Sequence, residues 1–243
     1  MDAIFEKVAA ATPSWLDYQV MCGREMLLSE SYLAQPIGEV LRVEHNGEVH
    51  AEYNHPIITS PSRGRPRQVD YVLCGANAGN LVAGLEVKWA DDSALSKQRI
   101  IDDLLRLECL KHAPGHNQSA NRYFLVAGAK ANLKANFLDL SSNSGGGRVP
   151  FLPNFLDATS SAWKTIDVQA LPTFLQKYFK SFESSYRVQS PKVFRTRLLK
   201  DLESGGYRAM LWRVDSGVGQ RSTFSATTLW SSVTVPETEA DDE

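Results

Sequence analysis

The sequence predicts an α/β fold in which one mixed central sheet is flanked by helices, and three observations carry that expectation. Segments with apolar residues at helical spacing alternate along the chain with segments of strand period. The strand-like segments Gln68–Cys74, 81–89 and 122–128 are strongly apolar, as buried sheet strands are. The 243 residues are 43% hydrophobic and 22% charged, which excludes disordered, collagen-like and coiled-coil classes. A compact chain of this length hides roughly 70% of the surface its unfolded form exposes, so its core needs no disulfide or metal staple.

The chain opens with helix over residues 1–35. Ile4, Phe5 and Val8 share one face of a first segment. Thr12-Pro13-Ser14 supplies a stop and a new N-cap, after which Trp15, Tyr18, Cys22 and Met26 recur at helical spacing. Gly23 is placed to bend this second segment. Gln35-Pro36 is placed to end it, because the residue before a proline is pushed out of the α region. From residue 39 the period becomes that of a strand: Val40, Leu41 and Val43 run into Asn46-Gly47, a hairpin signal, and Val49, Ala51 and Tyr53 continue beyond it.

A basic loop over 60–67 leads into Gln68–Cys74 and 81–89, two strands joined by a Gly/Asn/Ala turn. A helix over 94–112, a buried strand over 122–128 and a short helix near 130–139 follow. Residues 141–149, Ser-Ser-Asn-Ser-Gly-Gly-Gly-Arg-Val, read as a flexible loop and the one plausible linker. Beyond it, Val168, Leu171, Leu175, Tyr178 and Phe182 mark an amphipathic helix. Ser190-Pro191 reads as an N-cap with proline at N1, opening a helix that ends at Gly205-Gly206, and 207–214 reads as a last strand. The expected organisation is an N-terminal helical segment (1–23), a core (24–140), an α-rich C-terminal accessory region (150–235) packed on it, and a disordered acidic tail (236–243).

Lys and Arg total 26 against 28 Asp and Glu, a net charge of −2, so bulk positive charge does not hold this protein on nucleic acid, although a local basic patch is allowed. Cys22, Cys74 and Cys109 form no CxxC pair and read as reduced thiols. Asp2 and Glu6 stand where a signal peptide would be basic and then apolar, and no apolar run approaches a membrane span. The expectation is a cytoplasmic protein with no membrane partner.

The chemistry concentrates in two strands. Glu86 and Lys88 project to one side of theirs while Leu85 and Val87 pack on the other, and Asp70 sits in the preceding strand between Val69 and Tyr71. If these strands pair through the 75–80 turn, Asp70 approaches Glu86 on a common face. Two carboxylates and a lysine at the end of a buried sheet need compensation, and a divalent metal ion supplies it. Asp70, Glu86 and the Val87 carbonyl would hold Mg²⁺ (or Mn²⁺) through hard oxygen ligands. The metal would polarise a phosphodiester, and Lys88 would orient or activate the water and stabilise charge on the phosphorane. Glu-x-Lys alone is uninformative, since this composition yields it by chance about 0.6 times. Its place at the end of an apolar strand, 16 positions after an Asp in another, makes it a candidate.

The pattern Asp70…Glu86-Val87-Lys88 resembles the PD-(D/E)XK nuclease superfamily of restriction, repair, recombination and phage-defence nucleases. The resemblance covers roughly residues 24–130, where helix, hairpin, Asp strand, Glu-x-Lys strand, helix and strand match the superfamily's core order; Val69 stands in place of its proline. It implies a restriction-endonuclease-like sheet and a metal-dependent nuclease acting on DNA rather than RNA, in phage defence, restriction or repair. It also implies a glutamate from the first core helix, for which Glu30 is preferred and Glu25 is the alternative, and a polar residue from the next helix, Lys97 or Gln98, against phosphate. Arg63, Arg65 and Arg67, interleaved with Gly and Pro just before the Asp strand, are placed to grip a phosphate backbone without reading sequence. The near-neutral charge suggests that a partner protein or homodimer helps to place the substrate. The rival reading is a nuclease-like fold without activity, used as a binding or assembly module. Cys109-x-x-His112-x-x-x-His116 offers too few ligands for zinc, His45, His50 and His55 cannot share a face, and Gly145-Gly146-Gly147 lacks the strand and the GK[ST] of a phosphate loop.

Overall fold

The computed structural model describes residues 1–56, 58, 67–75, 80–110, 120–144, 147–186, 188 and 190–216. Arg63, Arg65, His112, His116, Gly145, Gly146 and the 236–243 tail lie outside the described residues. The first element, α1 (Asp2–Met21), runs unbroken through Thr12-Pro13-Ser14, contrary to the expected stop. Phe5, Val8, Ala9, Thr12, Pro13 and Leu16 form one continuous buried stripe, and burying it outweighs the single backbone hydrogen bond a proline forfeits.

The next helix departs further from expectation. α2 (Glu30–Glu44) continues through Pro36, and the residues read as a strand from position 39 are its last turns. Leu33, Ile37 and Leu41, spaced four apart, form its buried face. Asn46-Gly47 is therefore not a hairpin. It links α2 to an edge strand, β1 (Glu48–Asn54), whose partner is β2 (Gln68–Cys74). Gly47 is required for a different reason: a Cβ there would meet the Cys74 carbonyl oxygen at 2.1 Å.

The central strands follow the expected order. β2 pairs antiparallel with β3 (Leu81–Ala90), α3 (Lys97–Cys109) crosses over, and β4 (Asn121–Ala129) pairs parallel with β3. A short helical segment, α4 (Lys130–Leu133), widens into a π turn over Lys134–Leu138. The stretch expected to be a flexible loop is a hairpin, β5 (Ser141–Ser144) with β6 (Gly147–Pro150).

Among the described residues the C-terminal region is not α-rich. It contributes β7 (Lys164–Asp167), one helix, α5 (Thr173–Tyr186), then β8 (Val193–Ser204) and β9 (Tyr207–Ser216). The helix expected after Ser190-Pro191 is β8, and Gly205-Gly206 is its hairpin turn, with Gly205 left-handed at φ +53°. A register shift between Leu198 and Lys200 explains the misreading. Phe194 and Leu198 pack on one face, whereas the bulge puts Leu202, opposite Ala209, on the other. An extra residue inside a period of two imitates a period near 3.6.

The result is a seven-stranded mixed sheet in the order β1-β2-β3-β4-β9-β8-β7. Its two faces carry separate cores. One packs against α1 and α2 through Phe5, Leu16, Leu33, Leu41, Leu85 and Leu125; the other packs against α3 and α5 through Ile100, Leu104, Phe124, Phe179 and Trp212. Among the described residues no helix is long and apolar enough to cross a membrane.

Candidate active site

In β3, Leu85 and Val87 enter the core under α1 and α2, so Glu86 and Lys88 face α3. The register Tyr71↔Leu85 sets Asp70 directly opposite Glu86, on the side of Val72 and Cys74, which belong to the α3 core. The backbone N–H of Val87 donates to Asp70 Oδ2 at 2.7 Å, tying the two strands together at this point. Asp70, Glu86 and Lys88 thus share one face of adjacent antiparallel strands.

Glu30, rather than Glu25, joins them. Ser29 caps α2 by accepting from the Tyr32 N–H, which fixes Glu30 in the first helical turn over the end of β3. Its Oε2 accepts from the Trp89 N–H at 3.4 Å, and its Oε1 lies 3.7 Å from Lys88 Nζ. Glu25 sits in a short 3₁₀ turn and is exposed.

Two residues that the sequence reading missed complete the group. Asp103 and Arg106 descend from α3, three residues apart. The Arg106 guanidinium makes a two-point contact with Glu86, Nε to Oε1 at 3.1 Å and Nη2 to Oε2 at 3.0 Å, and also contacts Asp103 Oδ1. Asp103 Oδ2 lies 3.0 Å from Lys88 Nζ as an ion pair without hydrogen-bond alignment, and the same ammonium donates to the Val87 carbonyl at 2.9 Å. For Asp103 the signal was available. Asp103 falls inside the apolar arc Ile100–Leu104–Leu107, and a charge on a buried helix face needs a partner across it.

Four carboxylates therefore surround two cations, leaving a formal charge of −2 in a largely buried setting. Burial pushes the Glu86 carboxyl well above the usual range, aided by Asp103 and opposed by Arg106. Burial likewise raises Asp70 and Glu30, against the pull of Lys88. For Lys88, burial opposes the charge, but Asp103, Asp70, Glu30 and Glu86 outweigh it and hold the side chain as an ammonium. Asp70 and Glu30 also line an open cavity of about 260 Å³ with Ala34, Glu52, Tyr71 and Val87.

No family model, curated protein or solved structure matches this chain. The geometry alone must carry the reading.

Among the described residues no three His, Cys, Asp or Glu side chains converge as a metal-binding group. The donor chemistry still suits a hard divalent ion: magnesium keeps most of its waters and is commonly held by one or two carboxylates together with substrate phosphate. Asp70 and Glu30 at the cavity fit that description, and the excess charge of −2 matches it. Of the other expected ligands, both Glu86 oxygens are engaged by Arg106, and the Val87 carbonyl by Lys88.

The remaining expected contacts lie elsewhere. Lys97 reaches over the Phe151 ring, with Nζ 5.9 Å from its centroid, and Gln98 donates to Asp102 and to the Tyr178 carbonyl. Both are thereby committed to joining α3 with its neighbours. Arg67 stacks over Tyr186 of α5 at 5.3 Å. The three histidines are dispersed, though not across a hairpin: His45 meets the Cys74 carbonyl, His50 meets Glu48 and His55 meets the Arg106 carbonyl.

Proposed function

We propose that the protein is a metal-dependent nuclease with a restriction-endonuclease-like core, acting on phosphodiester bonds of DNA. The observation that supports this reading best is Asp70 opposite Glu86 on adjacent strands, with Lys88 on the same face and Glu30 reaching in from the preceding helix. Asp70, Glu86 and the Val87 carbonyl would hold Mg²⁺ or Mn²⁺, with Glu30 ligating directly or through water. The ion, when bound, would polarise the phosphate and lower the pKa of an attacking water. Lys88, fixed as an ammonium, would stabilise the charge that builds on the phosphorus oxygens rather than accept a proton. Arg67, beside the basic 60–67 loop, would contribute sequence-independent phosphate contacts.

Purified protein should cut DNA with Mg²⁺ or Mn²⁺ and not with EDTA. Lys88→Ala should abolish cleavage while leaving metal binding in place, since lysine is not a ligand. Equal cleavage by Lys88→Ala and wild type would overturn the assignment. A second reading, an inactive nuclease-like binding module, draws support from one observation: the Arg106 fork already neutralises Glu86. Absence of cleavage on single- and double-stranded DNA and RNA, with metal-independent binding of nucleic acid, would favour it.

A further inference from the structure

The Glu86 carboxylate is fully buried, and Arg106 engages both of its oxygens. A guanidinium seated across a carboxylate takes about two of its four lone-pair directions, one on each oxygen, and its charge repels a divalent ion at the same oxygens. Arg106 has an alternative partner, because the same guanidinium already contacts Asp103. Its backbone is held separately, by His55 Nε2 on the Arg106 carbonyl at 3.0 Å. The side chain can leave Glu86 without moving α3 and without becoming an unpaired buried charge.

We infer that Arg106 is an internal counter-cation that competes with the divalent metal for Glu86, so that metal binding at Glu86 and the Arg106–Glu86 fork exclude one another. In the metal-free protein Arg106 keeps the acidic site folded. On metal binding it turns to Asp103, and the Glu86 oxygens pass to the metal. Arg106 thereby sets the metal affinity and positions a ligand. This inference rests on the metal-dependent reading of the site.

The test is Mn²⁺ titration by calorimetry on wild type, Arg106→Gln, Arg106→Lys and Asp70→Asn, with circular dichroism confirming the fold of each. Arg106→Gln should bind Mn²⁺ about tenfold tighter than wild type or more, within the usual range of coupled sites. Arg106→Lys, which keeps the charge but loses the two-point fork, should fall between the two. Because Arg106→Gln removes a buried charge and can fail to fold, wild type provides a second readout. Added Mg²⁺ should shift the Arg106 Nε–H resonance and speed its solvent exchange. Metal binding that Asp70→Asn abolishes, together with an unaltered Arg106 resonance or an affinity unchanged in Arg106→Gln, would overturn the Arg106 inference and leave the metal reading standing. If neither wild type nor Arg106→Gln bound Mn²⁺, the metal reading would fall and the inference with it.

Discussion

His55 shows how closely single residues are constrained around the acidic site. Its Nε2 meets the Arg106 carbonyl and its Nδ1 accepts from the Ile58 N–H, so the ring is neutral with its proton on Nε2. Burial lowers its pKa to about 4; the bond to the Arg106 carbonyl opposes the shift, and the Arg106 charge adds to it. With the folded pKa below the unfolded value near 6.5, the unfolded state binds the proton first as pH falls. The stability from neutral His55, about 3 kcal/mol, is therefore complete above pH 6.5 and lost between pH 6.5 and 4. The stability gap between wild type and His55→Gln, read by urea denaturation, should shrink across that window; a constant gap would show an ordinary exposed histidine. The acidic site slopes the other way. Glu86, Asp70 and Glu30 have raised pKa values, so their contribution falls as pH rises through those values. Asp70→Asn should accordingly raise the melting temperature at pH 8 without metal; on the proposed metal-dependent reading, added Mg²⁺ should raise that of wild type and not that of Asp70→Asn. No metal-free gain would mean that Asp70 is adequately compensated by Lys88 and Val87.

At the scale of elements, Pro36 is the one residue of α2 that breaks helix rules. It lies past the first helical turn, where proline removes a hydrogen bond to the carbonyl four residues back and crowds it. Pro36→Ala should stabilise the protein by about 1–2 kcal/mol in urea denaturation, less than the full helix-interior penalty because the unfolded chain also gains freedom. A loss of stability instead would mean that the bend at Pro36 seats Glu30. The same proline limits what the sequence discloses. Gln35-Pro36 carries a genuine local stop signal, overridden by the four-residue spacing of Leu33, Ile37 and Leu41 once a sheet is there to receive them. β8 hides behind its bulge in a comparable way. β2, β3 and β4 were legible because each is apolar enough for period alone to decide. Asp70, Glu86 and Lys88 were legible because a strand's alternation fixes which residues share a face. Arg106 was not, since its role is set by α3 crossing the sheet at one angle, a tertiary fact with no trace in local spacing.

Across the whole molecule, the two cores lie on opposite faces of the sheet, and the chain's first and last described elements close it together. Asp2, at the start of α1, accepts from Arg213 of β9 at 3.0 Å, from Arg197 of β8 at 3.3 Å and from the Tyr123 hydroxyl of β4 at 2.7 Å. Lys200 of β8 pairs with Glu6 of α1 at 3.2 Å. These contacts are partly exposed and contribute modestly one by one. The larger stake is β9, which pairs with β4 along eight residues, Arg122 through Ala129. A fragment ending at residue 150 keeps Asp70, Glu86, Lys88, Asp103 and Arg106 but leaves that side of β4 unpaired. It should self-associate, giving oligomers in sedimentation velocity where the intact chain does not form them through this edge. A soluble, folded monomer would show that the first four sheet strands stand alone.

The strand order has a further consequence for biosynthesis. A ribosome completes every acidic-site residue before it has made the strand that seals β4. During the interval needed to translate the stretch from Ala129 to Tyr207, some eighty residues at about 5–20 per second, the nascent chain carries an apolar strand with one open edge beside the charged group. That edge closes only once the hairpin of β8 and β9 has emerged. A stalled or truncated product that lacks β9 would present the whole acidic group beside the same unsealed edge that should drive self-association of the fragment ending at residue 150.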